Sequence, residues 1–351
     1  MTVSRRVVFS AGLILSTLTS GLGGHMANAD DFYKDRDMRM IISSAPGGQY
    51  DIYARMMGKH IVKYLPGGTA KVTPVNMPGG AGIRAINYVH DIAPKDGSVM
   101  VIPRRGLPLY QAMGGKAATP ELAKMNWLCD MSDSPPVLTL WHLSPTKSLE
   151  DAKRRETIIG GSGGDSITSQ VSEAYNHLLG TKLKVITGYK GGPDINLAME
   201  RGEVDGRATN NMAAWKALSS NWAQDGKLTF LVLLGLQRDS DFPDVPLLTD
   251  LVTGDPEKVL MARFLTVANT VGRPIVVDTL VPAERVALLR AGCAQVLKDA
   301  EFLAEGEKIK AEFSFRSGED VQSLIAELMN TPQSLIEKVR LYTNYKEETG
   351  D

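Results

Sequence analysis

The sequence predicts an α/β protein of two lobes, and three observations lead there. First, 351 residues with 43% apolar and 23% charged side chains are enough for two separate cores. Second, two stretches, one from Met38 and one from Val137, each alternate short β-like runs with amphipathic helices. That spacing is typical of mostly parallel sheets with helices on their faces. Third, the late run "VANTVGRPIVVD" and the helices after it sit awkwardly in the second unit. They fit better if the chain returns to complete the first, leaving two lobes joined by two crossing strands.

In the first unit "MRMIISSA" reads as a strand and "DIYARMMGKHIVKYL" as a helix. The helix carries Ile52, Met56, Ile61 and Leu65 near helical spacing, widened by Tyr53, Met57 and Tyr64, and is stopped by Pro66-Gly67-Gly68. "KVTPVNM" is a strand, "GAGIRAINYVHDIA" a helix, and "PKDGSVMVIP" a turn and strand. In the second unit "VLTLWHL" is a strand, "SLEDAKRR" a short helix, and "ETIIGGSGGDS" a strand entering a glycine turn. "ITSQVSEAYNHLLG" is a helix closed by Gly180, "KLKVITGY" a strand, and "PDINLAMERGEV" a helix with Pro193 at its start. "KLTFLVLLGL" is one more strand, and "DFPDVPLLTDL" a Pro-rich loop. The tail from Pro282 to Lys310 reads as one long helical stretch, with more helix after it.

The first residues differ from this body. Arg5 and Arg6 precede an apolar stretch too short and too broken by Ser, Thr and Gly for a comfortable membrane span. It ends in "ANA", a small-x-small pattern, so residues 1–29 are expected to be a cleaved export signal. The twin arginines leave open whether the route is ordinary secretion or folded export. Loss of two arginines and no acid takes the formal charge from −1 to −3. A mildly acidic body argues against nucleic acid as a partner. Cys129 and Cys293 are far apart in sequence, and buried, unlinked thiols are the expectation over a disulfide. Five scattered His and no CxxC or HxxxH give a metal site no support, and no cofactor is expected.

Both units lead a strand through glycines into a helix: Pro46-Gly47-Gly48-Gln49-Tyr50-Asp51 in the first, Ser162-Gly163-Gly164-Asp165-Ser166 in the second. The first turn of a helix has unpaired N–H groups and partial positive charge, and without a Cβ an anion can approach them. Such turns lie at the carboxyl ends of strands, where ligands bind in α/β folds. The competing reading is that Asp51 or Asp165 caps its own helix and occupies those donors. "GGSGG" also fits the nucleophile elbow of α/β-hydrolases with Ser162 as nucleophile. The last histidine, His177, lies just after the elbow, where a catalytic base would be misplaced. Neither turn completes G-x-G-x-x-G. Arg104 and Arg105, after a strand, offer a bidentate grip on a carboxylate. Tyr50 and Tyr189 offer rings or hydroxyls, with Tyr53 read as core. Asn210 and Asn211 either bond a polar ligand or make a turn.

"APGGQYDIYAR", "NMPGGAGIRAINYVHDIAPKDGS", "GYKGGPDINLAMERGEVDGR", "FPDVPLLTDL" and "GRPIVVDTLVPAERVALLRAGCAQVLKDAEF" occur in an order that resembles the extracytoplasmic solute receptors of tripartite tricarboxylate transporters, the Bug family. The resemblance spans nearly all of the chain after the signal. It implies a type II periplasmic binding protein fold: lobe 1 from 30–136 and 271–351, lobe 2 from 137–270, and two crossover strands between them. It also implies a small carboxylate held in the cleft against the two glycine turns, at Pro46, Gly47, Gly48, Gln49, Tyr50, Asp51, Ser162, Gly163, Gly164, Asp165 and Ser166. Arg105, Tyr189 and Asn210 complete the expected site. The partner would be the membrane carrier, with the protein monomeric, periplasmic and not an enzyme. A subunit signalling to a sensor kinase, and a periplasmic hydrolase using Ser162, are the alternative functions.

Overall fold

A computed structural model describes residues 32–133, 135–161, 167–189, 191–212, 215, 221–309, 311 and 313–345. The expected signal at 1–29 and the turn at Ser162–Ser166 lie outside these residues.

The first sheet has strand order β11-β4-β10-β3-β1-β2, with β1 at Asp37–Ile42, β2 at Lys71–Asn76, β3 at Val99–Ile102 and β4 at Asn126–Asp130. Strands β10 (Pro274–Val277) and β11 (Arg316–Ser317) join it from the far end of the chain. Its central strands are apolar on both sides because helices cover both faces. Met38, Met40 and Ile42 of β1 pack with Tyr53, Met57 and Ile61 of helix α1 (Gln49–Ile61). Ile41 and Val101 pack on the other face with Ala85 and Ile86 of α2 (Ile83–Asn87) and Leu107 of α3 (Leu107–Ala112).

The second sheet runs β7-β6-β8-β5-β9. Here β5 is Pro136–Trp141, β6 Thr157–Gly160, β7 Leu183–Ile186, β8 Gly206–Asn211 and β9 Leu228–Leu233. After α4 (Leu149–Arg154), helix α5 (Ile167–Leu179) covers one face, and α6 (Gly192–Glu200) covers the other. Val171, Ala174 and Tyr175 of α5 meet Leu138, Ile159 and Ala208, whereas Ile195 and Met199 of α6 share a cluster with Val137, Trp215 and Trp222.

Several expectations need correction. The sheets are mixed rather than mostly parallel: β10 is antiparallel to β3 and β4, and β5 is antiparallel to β8 and β9. The reason is geometric. β1, β3, β6 and β7 belong to βαβ units whose strands share one direction, whereas β5 and β10 enter after the chain has passed between the sheets. After Arg104 and Arg105 the chain enters α3 at Leu107, with Pro108 in the first turn where its missing N–H costs nothing. "GRATNN" is strand β8. The tail is two helices, α8 (Ala283–Val296) and α9 (Ala300–Lys308), because Asp299 leaves the helical region and caps α9 through the N–H groups of Glu301 and Phe302. Helix α7 (Pro256–Thr270), capped by Asp255, has no counterpart in the periodicity reading. Two further helices, α10 (Gly318–Met329) and α11 (Gln333–Tyr342), close the chain, and α11 stacks Tyr342 on His177 of α5 at 4.6 Å. No helix among the described residues is long and apolar enough to cross a membrane.

The chain passes between the sheets twice, once between β4 and β5 and once between β9 and β10, where α7 lies on the way. Asp130 ties the two together: its carboxylate, fully buried, accepts from the N–H of Gly272 at 3.0 Å and of Arg273 at 2.6 Å. Burial pushes this carboxyl up to about 7 despite those donors. Cys129 of β4 and Cys293 of α8 are free, buried thiols whose sulfurs lie 2.7 Å apart in the first core.

Candidate functional site

The turn after β1 is built by its own residues. Gly47 has φ +83°, a left-handed conformation that glycine adopts without strain. Gly48 is the N-cap of α1 and has no neighbour closer than 3.8 Å to where a Cβ would stand. Asp51 does not cap α1, and of the turn's N–H groups its carboxylate takes that of Gly47, ahead of the helix. Its carboxylate, buried, accepts from Gly47 N–H at 2.9 Å, Arg55 Nε at 2.9 Å and Asn76 Nδ2 at 2.8 Å. Asn76 Nδ2 also reaches Ser44 O at 3.0 Å. Burial works to raise the Asp51 carboxyl, but the bonds from Arg55, Gly47 and Asn76 outweigh it and hold it below the ordinary range. The Asp51 carboxylate therefore shapes the turn.

Tyr50 and Gln49 project to the other side of that turn. Tyr50 Oη donates to Gly272 O at 3.3 Å and accepts from Arg105 N–H at 3.1 Å, so one hydroxyl links the turn, the end of β3 and the second crossing. Three arginines gather there. The guanidinium carbons of Arg104 and Arg273 lie 5.2 and 6.0 Å from the centre of the Tyr50 ring. Arg273 is buried, donates to Gln49 Oε1 and to Ser132 Oγ (3.2 Å), and lies 4.5 Å over the ring of Tyr53, which is core as expected. Burial, and then the neighbouring charges of Arg273 and Arg104, lower the Arg105 guanidinium. An anion beside Arg105 would relieve that lowering.

The structure thus brings Gln49, Tyr50 and Arg105 together with Pro46–Gly48 at the carboxyl end of β1. Sequence reasoning left out Arg273 as a site residue, although the Gly-Arg-Pro segment that holds it had been singled out as a motif. In the second lobe, Gly160 and Gly161 are packing glycines: a Cβ on Gly160 would lie 2.7 Å from Ile195, and one on Gly161 2.8 Å from Val185. Ser162, Gly163, Gly164, Asp165 and Ser166 fall outside the described residues. Tyr189 is half-buried, its N–H donating to Gly161 O at 3.4 Å, and burial raises its hydroxyl. Asn210, also half-buried, stands opposite Val137 of β5. Among the described residues one acidic cluster lies elsewhere, at His60, Asp299 and Glu301, but the Lys63 ammonium bonds both carboxylates and balances them from within.

Residues 70–341 match the model of the tripartite tricarboxylate transporter family receptor, TctC. No curated protein matches. Among solved structures, the chain is similar to a TctC solute binding protein from Polaromonas determined without ligand, at 22% identity and a TM-score of 0.70 over 87% of this chain and 99% of that one. It is similar to an R. palustris protein determined with adipate, at 18% identity and a TM-score of 0.60 over 88% and 97%. A third is MatC from Rhodopseudomonas palustris with bound malate, at 18% identity and a TM-score of 0.56 over 88% and 99%. At these identities the likeness establishes the shared two-lobed fold, while the family match covers most of the sequence. On that match, the chain belongs to the receptor family of the tripartite tricarboxylate transporters.

Proposed function

We propose that this protein is a periplasmic receptor that captures a small carboxylate between its lobes and delivers it to the membrane carrier of a tripartite transporter. The observation that carries the reading is the gathering of Arg104, Arg105 and Arg273 around Tyr50 at the carboxyl ends of β1 and β3. Backbone N–H groups of Gly48 and Gln49 and the Arg105 guanidinium would hold carboxylate oxygens, with the Ser162–Ser166 turn, Tyr189 and Asn210 supplying the opposite wall. The proteins determined with adipate and malate support that ligand class. The lobes divide at 136/137 and 270/271, residues 1–29 are removed near Ala29 on export, and the mature protein works as a monomer without chemistry on its cargo. Neither the sensor-subunit nor the hydrolase alternative gains a specific observation.

The test is to unfold and refold the mature protein, so that any co-purified ligand is lost, and scan its melting temperature against small carboxylates. A ligand at about one hundred times Kd stabilises by about 2.7 kcal/mol, which for a chain of this size is a rise of several degrees. The expected result is a rise for at least one acid that Arg105→Ala abolishes. A flat panel with natively refolded protein refutes the reading.

A further inference from the structure

The second lobe holds a guanidinium of its own. Arg207, on β8, is only 9% exposed. β8 runs parallel to β6 with Gly206 opposite Ile159, which sets Arg207 level with Gly160 at the carboxyl end of β6. Its Nη1 donates to Gly192 O at 3.2 Å and to Asn196 Oδ1 at 3.0 Å, fastening it at the N-terminal turn of α6. Gly192 leaves the room for this, since a Cβ there would lie 2.8 Å from Nη1. The guanidinium carbon is 5.7 Å from the centre of the Trp215 ring.

Among the described residues no acid pairs with it. Asp205, two residues earlier, accepts from Ile158 N–H through Oδ2 at 2.7 Å, and Asp194 in the first turn of α6 is exposed and makes no ion pair with Arg207. Among the described residues Arg207 Nε, buried, has no hydrogen-bond partner, and neither has Nε1 of the adjacent Trp215. Both atoms can only donate, so what the pair lacks is an acceptor. Nε with Nη2 forms the edge of a guanidinium that grips a carboxylate through two parallel bonds. Burial pushes the Arg207 pKa down to about 10, so it remains charged at neutral pH while carrying an unbalanced desolvation cost.

We propose that Arg207 is the cation of the second lobe that binds the solute, its Nε–Nη2 edge taking a carboxylate at the N-terminal turn of α6. The assignment rests on the receptor reading above and adds a named anion grip on the lobe opposite Arg105. A bound carboxylate would satisfy Nε and balance the charge in one step, and would favour the closed state by contacts made only there.

Titration calorimetry on the refolded protein, Arg207→Met and Arg207→Lys, with succinate, adipate, benzoate and glutamate as probes, tests it. The acid that wild type binds should bind Arg207→Met about 10- to 100-fold more weakly. Arg207→Lys should lose less, because the charge stays while the fork is gone. Without ligand, Arg207→Met should melt at or above wild type, since it removes an unbalanced buried charge; a purely structural arginine would lower it. Binding by Arg207→Met within twofold of wild type overturns the assignment and leaves the receptor reading standing. If Arg207→Met does not fold, Arg207→Lys decides, and wild-type affinity in that variant overturns the assignment. A wild type that binds no probe overturns the receptor reading and the assignment with it.

Discussion

Replacing Asp51 by Ala removes the acceptor on which the Pro46–Asp51 turn closes, and the structure sets the size of the effect. Three donors lose an acceptor: Gly47 N–H, Arg55 Nε and Asn76 Nδ2, the last of which keeps Ser44 O. The Arg55 side chain is 45% exposed against 6% for Asp51, so water replaces that partner and the ion pair counts for no more than about 0.5 kcal/mol. The other two are charge-assisted bonds at the buried carboxylate, about 1.5 kcal/mol each. The expected loss is about 3–4 kcal/mol, or about 4–6 °C in Tm for a chain of this length. The pH dependence follows in sign. The folded carboxyl is held below its unfolded value, so its contribution is present above about pH 4 and disappears as pH falls through the folded value. Calorimetric melts of wild type and Asp51→Ala from pH 7 to pH 3 should therefore show a gap that narrows in acid. A Tm change under about 2 °C at pH 7, or a gap of the same size at pH 3, would refute the view that this carboxylate builds the turn.

Three further outcomes follow from particular contacts. Tyr50→Phe deletes the hydroxyl between Arg105 N–H and Gly272 O and should cost about 1 kcal/mol of stability together with weaker carboxylate binding; unchanged melting and unchanged affinity would dismiss that link. Gly206→Ala would place a Cβ 2.1 Å from Thr139 O and 2.9 Å from Leu140 Cα, forcing β5 and β8 apart, so a loss above about 2 kcal/mol in urea unfolding is expected and a silent substitution would contradict the packing. For Asp130 the folded pKa of about 7 lies above the unfolded carboxylate value, so the stability it contributes is full below about pH 4 and is lost as pH rises through about 7. Asp130→Asn cannot ionise, so its urea midpoint relative to wild type should climb across that window by as much as about 4 kcal/mol in equivalent stability. A pH-independent difference would show that the buried carboxyl does not titrate there.

What the sequence by itself determined was local. Alternation of apolar runs with amphipathic helices marks β1, α1, β2, β3, β5, β6, α5, β7, α6 and β9, because burial of one stripe or of both strand faces writes its period into the residues that form it. The glycine turn at 46–51 and the export-like start are legible for the same reason, as are the motifs that carry the family resemblance. Strand direction is not, since a run such as "PIVV" looks the same whether it enters its sheet from a βαβ loop or from the other lobe. α7 stayed hidden because nine of its fifteen residues are buried, so no single apolar stripe stands out. The site depended most on the tertiary structure. Arg273 reaches Gln49 across 224 positions, and Arg207 sits at Gly192 only because β8 inserts between β6 and β5. Whether an arginine is a solvated surface charge or a buried donor waiting for an anion depends on what the fold lays against it, and those neighbours come from distant chain that leaves no mark on the residue's own surroundings in sequence.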